Sequence, residues 1–236
     1  MSWSLDELMA VVFARRLQDG DVVVTGTNAA VPLMACEVAR RAGGKRVTSL
    51  IGATGTIDPS CQAVPRSGAD ERFIPGRFTI GLATGVHDQL RGLVDVIFLG
   101  ALQVDVRGRC NLTAVGPYAR PTLRGPGSVG LSMMATVRRT FLIFGRHDPR
   151  LFVEEVDFVS AEGLRPGSGG LAVVVTPLCV LAPDPARSRL ALESMHPGVS
   201  FADVQRSTGF RLDPAGAVTT AQPTAGELAV LRRRGA

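Results

Sequence analysis

The sequence predicts an α/β protein: an open, mostly parallel sheet with flanking helices. Three observations predict it: short, purely apolar runs, helically periodic segments between them, and glycine-rich junctions. Residues 22–24 are a short apolar run, and 47–51 read as the next strand. The segment between them carries Pro32 in its first turn and ends at Gly43-Gly44, the punctuation of a helix. Strand, helix, strand in this order is a βαβ unit with a parallel pair and an expected right-handed crossover.

The remaining elements follow in order. Ser4 with Glu7 three residues on is a capping box, and Leu5, Leu8, Met9, Val12, Phe13 and Leu17 continue at near-helical spacing to Asp19-Gly20-Asp21. Residues 95–99 read as a strand buried on both faces, with a hairpin turn after it at Arg107-Gly108. A glycine-rich stretch, Arg124 to Gly130, leads into an expected helix over 131–137. Strands are expected over 140–144, 153–159 and 171–181, and helices over 190–195, 201–208 and 226–233. No repeat or low-complexity linker interrupts the chain, and Pro183-Asp184-Pro185 and Asp213-Pro214-Ala215-Gly216 read as loops, so a single domain over 1–236 is expected.

Composition narrows the function classes. The 236 residues are 45% hydrophobic and 20% charged, which suits a globular protein and excludes wholesale disorder. No apolar run reaches the roughly 20 residues that span a bilayer. The first ten residues carry Asp6 and Glu7 and no basic stretch, so a signal peptide is not expected and cytoplasmic residence is the default. The net charge of +5 is spread over scattered arginines with Lys45 as the sole lysine, apart from Arg232-Arg233-Arg234. Nucleic-acid surfaces cluster their basic residues and interleave aromatics, so nucleic acid is not an expected partner. Cys36, Cys61, Cys110 and Cys179 lie far apart with no metal-ligand spacing, and they read as buried, reduced thiols; no metal is expected.

Candidate sites are few. In the Arg124–Gly130 loop the glycines allow close backbone approach, and a following helix would offer N–H groups to an anion or oxyanion. The stretch fits neither a P-loop nor a dinucleotide fingerprint, and it suits a tight turn equally. Gln103 follows a buried strand, at the end where open sheets place ligands, but a solvated loop residue fits as well. Asp105 suits a cap of the Arg107-Gly108 turn or a base. Ser128 lacks a nucleophile-elbow context, and His87, His147 and His196 have no catalytic spacing to acids, so structural or surface roles are expected for them.

Four segments in register resemble the β subunit of family I coenzyme A transferases of the glutaconate type. Gly100-Ala101-Leu102-Gln103-Val104-Asp105 resembles the family's G-A-x-Q-V-D, and Gly108 with Asn111 its G-N-x-N. Pro126-Gly127-Ser128-Val129-Gly130 resembles P-G-S-G-G. His196-Pro197-Gly198-Val199 followed by Val204-Gln205 and Thr208-Gly209-Phe210 resembles H-P-G-V and V-Q-x-x-T-G-F. The resemblance runs from about residue 5 to residue 213 and implies the transferase β-subunit fold.

Three departures change what the resemblance implies. Family transferases carry a nucleophilic glutamate after the second strand; here Leu50-Ile51-Gly52-Ala53-Thr54-Gly55 puts Ala53 in its place, and a methyl group cannot attack a thioester. Asp58 lies five residues on, before Pro59, and is not expected to replace it. Met133 stands where an aspartate follows the glycine loop, and Arg109 replaces the first asparagine of G-N-x-N. A branch that fits a retained frame without a nucleophile is the actinobacterial steroid ring-opening hydrolases. Resemblance to it implies a partner α subunit supplying a glutamate base, an α2β2 heterotetramer, and a cyclohexenone CoA thioester as substrate. Coenzyme A enters only as part of that substrate, with no resident cofactor. On this chain the resemblance implies Gly127 and Gly130 amides lining the thioester pocket and supporting roles for Gln103 and Asn111. Arg124, beside the loop, is a candidate partner for a substrate carboxylate, or else a surface ion pair.

Overall fold

The computed structural model describes residues 2–232 except 27–29, 53, 60–66, 68, 82–83, 85–90, 129 and 165–169. The chain divides into two compact units, Met1–Phe98 with Gln222–Ala236, and Leu99–Ala221.

The first unit begins with α1 (Leu5–Arg16), whose capping box forms as the sequence predicts: Glu7 N–H donates to Ser4 Oγ (3.2 Å) and Ser4 N–H to the Glu7 carboxylate (2.7 Å). Seven consecutive residues, Leu8 to Ala14, are buried, so α1 is a core helix rather than a surface one. Strand β1 (Val22–Thr25), helix α2 (Ala30–Arg41) and strand β2 (Thr48–Ile51) make the predicted βαβ unit, with β1 and β2 parallel in register Val22↔Thr48 to Thr25↔Ile51. Strands β3 (Thr56–Pro59), β4 (Gly76–Thr79) and β5 (Val96–Leu99) complete the order β5-β1-β2-β3-β4. β5 is parallel to β1, while β3 and β4 extend the far edge as an antiparallel pair. Lys45, the only lysine, donates Nζ to the carbonyls of Ala14 (3.0 Å) and Leu17 (2.6 Å), satisfying orphan acceptors at the end of α1.

The second unit carries β6 (Gln103–Asp105), β7 (Cys110–Asn111), β8 (Ala114–Val115), β9 (Leu123–Arg124), β10 (Arg139–Ile143), β11 (Phe152–Val153), β12 (Gly170–Val175), β13 (Cys179–Asp184), β14 (Arg189–Met195), helix α3 (Phe201–Arg206) and β15 (Val218–Thr219). Its main sheet runs β15-β14-β13-β12-β10, beside a three-stranded sheet β11-β6-β7 and the β8-β9 hairpin. β10 and β12 are parallel; β12, β13 and β14 form an antiparallel meander. The C-terminal helix α4 (Ala225–Leu231) returns to the first unit, where Arg232 pairs with Glu7 and Arg15 with Glu227.

Four local expectations change. Residues 190–195, rich in helix formers, lie within strand β14: Leu190, Leu192 and Ser194 are buried and Glu193 is exposed, a period of two, so tertiary pairing with β13 overrides propensity. The run 171–181 is two antiparallel strands, not one. The helix expected over 131–137 is a 3-10 turn, Leu131–Ala135. The strand expected over 153–159 shrinks to β11.

Two histidines, the buried His196 and the half-buried His147, tie segments of the second unit together. Val204 carbonyl takes the Thr208 hydroxyl proton (2.7 Å), so His147 Nε2 must donate to Thr208 Oγ1 (2.9 Å). His147 Nδ1 lies 2.8 Å from the Thr176 hydroxyl, which itself donates to the Cys179 carbonyl (3.1 Å). His196 Nε2 donates to the Thr176 carbonyl (2.8 Å), and its Nδ1 accepts from Thr220 (3.0 Å). Both histidines are thus bonded within the chain at both ring nitrogens, the structural role the sequence predicts for them. Burial pushes His147 down to about 4 and lowers His196 as well. Because these folded-state values lie below the unfolded one near 6.5, the unfolded chain takes up protons first as pH falls. Stability should therefore decline from about pH 6.5 to about pH 4, by about 3 kcal/mol for His147 alone. Urea melts at stepped pH check this, and a flat profile across that window would contradict it.

Candidate functional site

The glycine-rich loop stands on a buried amide network in the second unit. β6 and β7 pair Gln103 with Asn111, and the two side chains meet: Asn111 Nδ2 donates to Gln103 Oε1 (2.7 Å) and to the Ala114 carbonyl (2.7 Å). Asn111 Oδ1 accepts from the backbone of Thr113 (2.9 Å) and Ala114 (3.2 Å), turning the chain into β8. Gln103 grips Asp157 from both ends, accepting its N–H at Oε1 (3.0 Å) and donating Nε2 to its carboxylate (3.0 Å). That same carboxylate oxygen accepts from Gly116 N–H (2.8 Å). Asn111 is fully buried and Gln103 nearly so. Their amides are thus committed to partners within the chain, in the frame beneath the loop.

Asp105 resolves its two readings in favour of the cap. Its fully buried carboxylate accepts from the N–H groups of Arg107 (2.9 Å) and Arg109 (3.0 Å) and from Arg109 Nε (2.7 Å), around Gly108 at φ +71. Arg109, the departure from G-N-x-N, bridges Asp105 to Glu155 (3.1 Å). Burial opposes its charge, but hydrogen bonds to these two carboxylates outweigh that and raise its pKa.

The loop itself returns against β7's exit. Gly125 N–H donates to Thr113 O (2.9 Å), and a Cβ at Gly125 would sit 2.2 Å from Leu112 O. Gly127 N–H, expected to face a thioester, donates instead to Leu112 O (3.2 Å). Its φ of +87 demands glycine, although a Cβ there would meet nothing within 4 Å, so the loop is open on that side. Gly130 (φ +74) precedes a five-residue 3-10 turn, too short to act as a helix N-terminus toward an anion; Met133 lies within this turn, with its N–H on Gly130 O. Arg124 is exposed on β9, with no carboxylate partner among the described residues: its Nη2 donates to Tyr118 O (3.1 Å) and its guanidinium lies 4.8 Å over the Tyr118 ring. Among the described residues the surface ion pair considered for it does not form.

Elsewhere, Ala53, Cys61, His87 and Val129 lie outside the described residues. Asp58, the acid nearest Ala53, is engaged by Ser49 N–H (2.9 Å) and Arg40 (3.1 Å). Cys36, Cys110 and Cys179 are buried free thiols, each pushed up to about 12 by burial, which fits inert packing. Among the described residues no helix is long and apolar enough to cross a membrane.

The coenzyme A transferase family model matches residues 7–207. The chain belongs to the coenzyme A transferase family. Within it, this transferase-family chain is 32% identical to the B subunit of 3-oxoadipate CoA-transferase from Pseudomonas knackmussii, over 98% of its own length and 93% of the relative's. It is 31% identical to the B subunit of glutaconate CoA-transferase from Acidaminococcus fermentans, over 96% and 90%. The solved structure of that glutaconate CoA-transferase superposes with a TM-score of 0.85 at 28% identity, covering 99% of this chain and 95% of the other, which establishes the α/β fold. The decarboxylase AibA/AibB superposes at 0.84 with 28% identity over 98% and 94%. A cholesterol ring-cleaving hydrolase IpdB subunit of Mycobacterium tuberculosis is 34% identical over 58% of each chain. The relatives named by sequence are enzyme subunits.

Sequence reasoning passed over Asp157, Phe158 and Tyr118. They match no short motif, and the contacts of Asp157 with Gly116 and of Phe158 with Tyr118 join segments about 40 residues apart in the chain. The glycines separate two causes of intolerance. Gly125→Ala meets backbone and should cost about 2 kcal/mol or more, whereas Gly127→Ala meets only its own φ and should cost about 1 kcal/mol. Denaturation midpoints of the two variants check the order.

Proposed function

We propose that this chain is the β subunit of a heteromeric hydrolase that cleaves a carbon–carbon bond in the ring of a steroid-derived cyclohexenone CoA thioester, during breakdown of the steroid C and D rings. The observation that carries the reading is Ala53, standing where the resemblance places the attacking glutamate of the transferases. The similarity to a ring-cleaving IpdB subunit supports it. In the proposed reaction a glutamate of the α subunit acts as base; water adds to the ring enone and a retro-Claisen step breaks the carbon–carbon bond. This chain contributes the loop and the cation that hold the ester. The thioester supplies its own coenzyme A, and no resident cofactor takes part. The active assembly is an α2β2 heterotetramer in the cytoplasm.

A second reading, a CoA-transferase β subunit with a different carboxylate, is favoured by the nearly full-length similarity to the two transferase relatives. A glutamyl thioester separates the two. The assembly incubated with acyl-CoA and treated with hydroxylamine or borohydride should yield no labelled glutamate on either chain; an adduct would reject the hydrolase. A third reading makes the chain a scaffold for its partner. Arg124→Ala should then leave turnover intact. We expect instead a fall of about ten-fold or more with assembly preserved, measured by steady-state rates and gel filtration.

A further inference from the structure

The first half of β14 is joined to the sheet through β13 alone. Among the described residues β15 pairs only with Ser194 and Met195, leaving Arg189 to Leu192 without a second strand. A cleft of about 390 Å³ opens there, between the β13–β14 turn, the start of β14 and residues 211–215. It lies away from the Gln103–Asn111 network. Leu190 N–H donates to Val106 O (2.7 Å), toward the turn end of the β6–β7 hairpin, whereas Gln103 and Asn111 pair at its open end.

Arg187, Arg189 and Arg211 line this cleft. Two carboxylates stand near them, and both cap turns. Asp184 accepts the N–H groups of Ala186 (3.1 Å) and Arg187 (3.3 Å), and Asp213 accepts that of Ala215 (2.9 Å). Arg187 lies 3.6 Å from Asp184 and 3.7 Å from Asp213, longer than a hydrogen bond in each case. Arg189 donates to the carbonyl of Arg211, which orders its guanidinium without neutralising it. Neither Arg189 nor Arg211 has a carboxylate partner among the described residues.

Two unneutralised guanidinium groups on separate segments suit an anion with more than one charge and more than two oxygens. A carboxylate carries one charge. A phosphate ester carries nearly two near pH 7 and presents three acceptor oxygens. The cleft is lined as well by Leu190, Leu192 and Pro214, the first two buried, so an organic group attached to the phosphate has an apolar surface to rest on.

We propose that the cleft between β14 and residues 211–215 binds a phosphorylated small molecule, with Arg189 and Arg211 holding the phosphate and the exposed Arg187 adding charge. The site stands apart from the glycine loop and does not depend on the acyl group that the loop takes.

The test titrates inorganic pyrophosphate into the enzyme purified with its accompanying chain, at low salt, by calorimetry. Wild type should bind one pyrophosphate per copy of this chain. Arg211→Ala removes a side chain with no bond in the structure, so its melting temperature should match wild type while affinity falls about ten-fold or more. Arg211→Lys should also weaken binding, because a point charge lacks the fork. Arg46→Ala, on the surface of the first unit, should change nothing. Absence of binding in wild type, unchanged affinity in Arg211→Ala, or equal weakening by Arg46→Ala would overturn the site. Added coenzyme A then separates two sources of phosphate. Displacement of pyrophosphate assigns the cleft to phosphates carried by coenzyme A, simultaneous binding assigns it to a separate phosphate compound, and the site stands in both cases.

Discussion

The candidate site depends on one buried side-chain amide. Gln103 sits on β6 with its carbonyl oxygen taking the Asn111 amide and the Asp157 N–H, and its nitrogen donating to the Asp157 carboxylate. A buried amide left without partners is costly, and one with several is a rigid junction. Through this junction the β6–β7 pair, the turn into β8 and the segment after β11 hold one another. The glycine loop and Arg124 are carried on that frame.

The segments that resemble family motifs turn out to be largely architectural. His196-Pro197-Gly198-Val199 is a tight turn closed by Val199 N–H on His196 O (3.0 Å), with Pro second and Gly198 third at φ +85, the type II pattern. Gln205 receives Leu212 N–H and donates to Phe210 O, pinning the chain after α3. Gly209 passes so close to Phe152 that a Cβ would lie 2.4 Å from its carbonyl oxygen. Asp105 caps a turn. Similarity in these segments therefore reports a shared frame, and a shared frame is compatible with transferase, decarboxylase or hydrolase chemistry, as the named neighbours illustrate. What distinguishes members must come from the few side chains that face the ligand, which is why a single alanine carries so much of the functional reading.

Electrostatics divides the polar groups into two kinds. Buried His196, Cys36, Cys110 and Cys179 and half-buried His147 are disfavoured as charged forms by desolvation, whereas the buried Asp105 carboxylate is paired with Arg109. Other charged groups pair near the surface, as Arg46 with Asp19 and Arg232 with Glu7. Arg124 belongs to neither group: it is charged, oriented and without a carboxylate among the described residues.

Signals that act over three or four residues were legible in the sequence: the Ser4–Glu7 box, the βαβ punctuation, the Arg107-Gly108 turn, the buried thiols, and the residue at position 53. Tertiary structure alone decided that 190–195 lies in a strand, that Gln103 faces Asp157 from 54 residues away, and that Arg124 leans on a tyrosine stacked against Phe158. The reason is range. Caps and turns are made by neighbours whose identities are adjacent in the chain, whereas a hydrogen bond or ring contact between distant segments exists only once the packed core has brought them together.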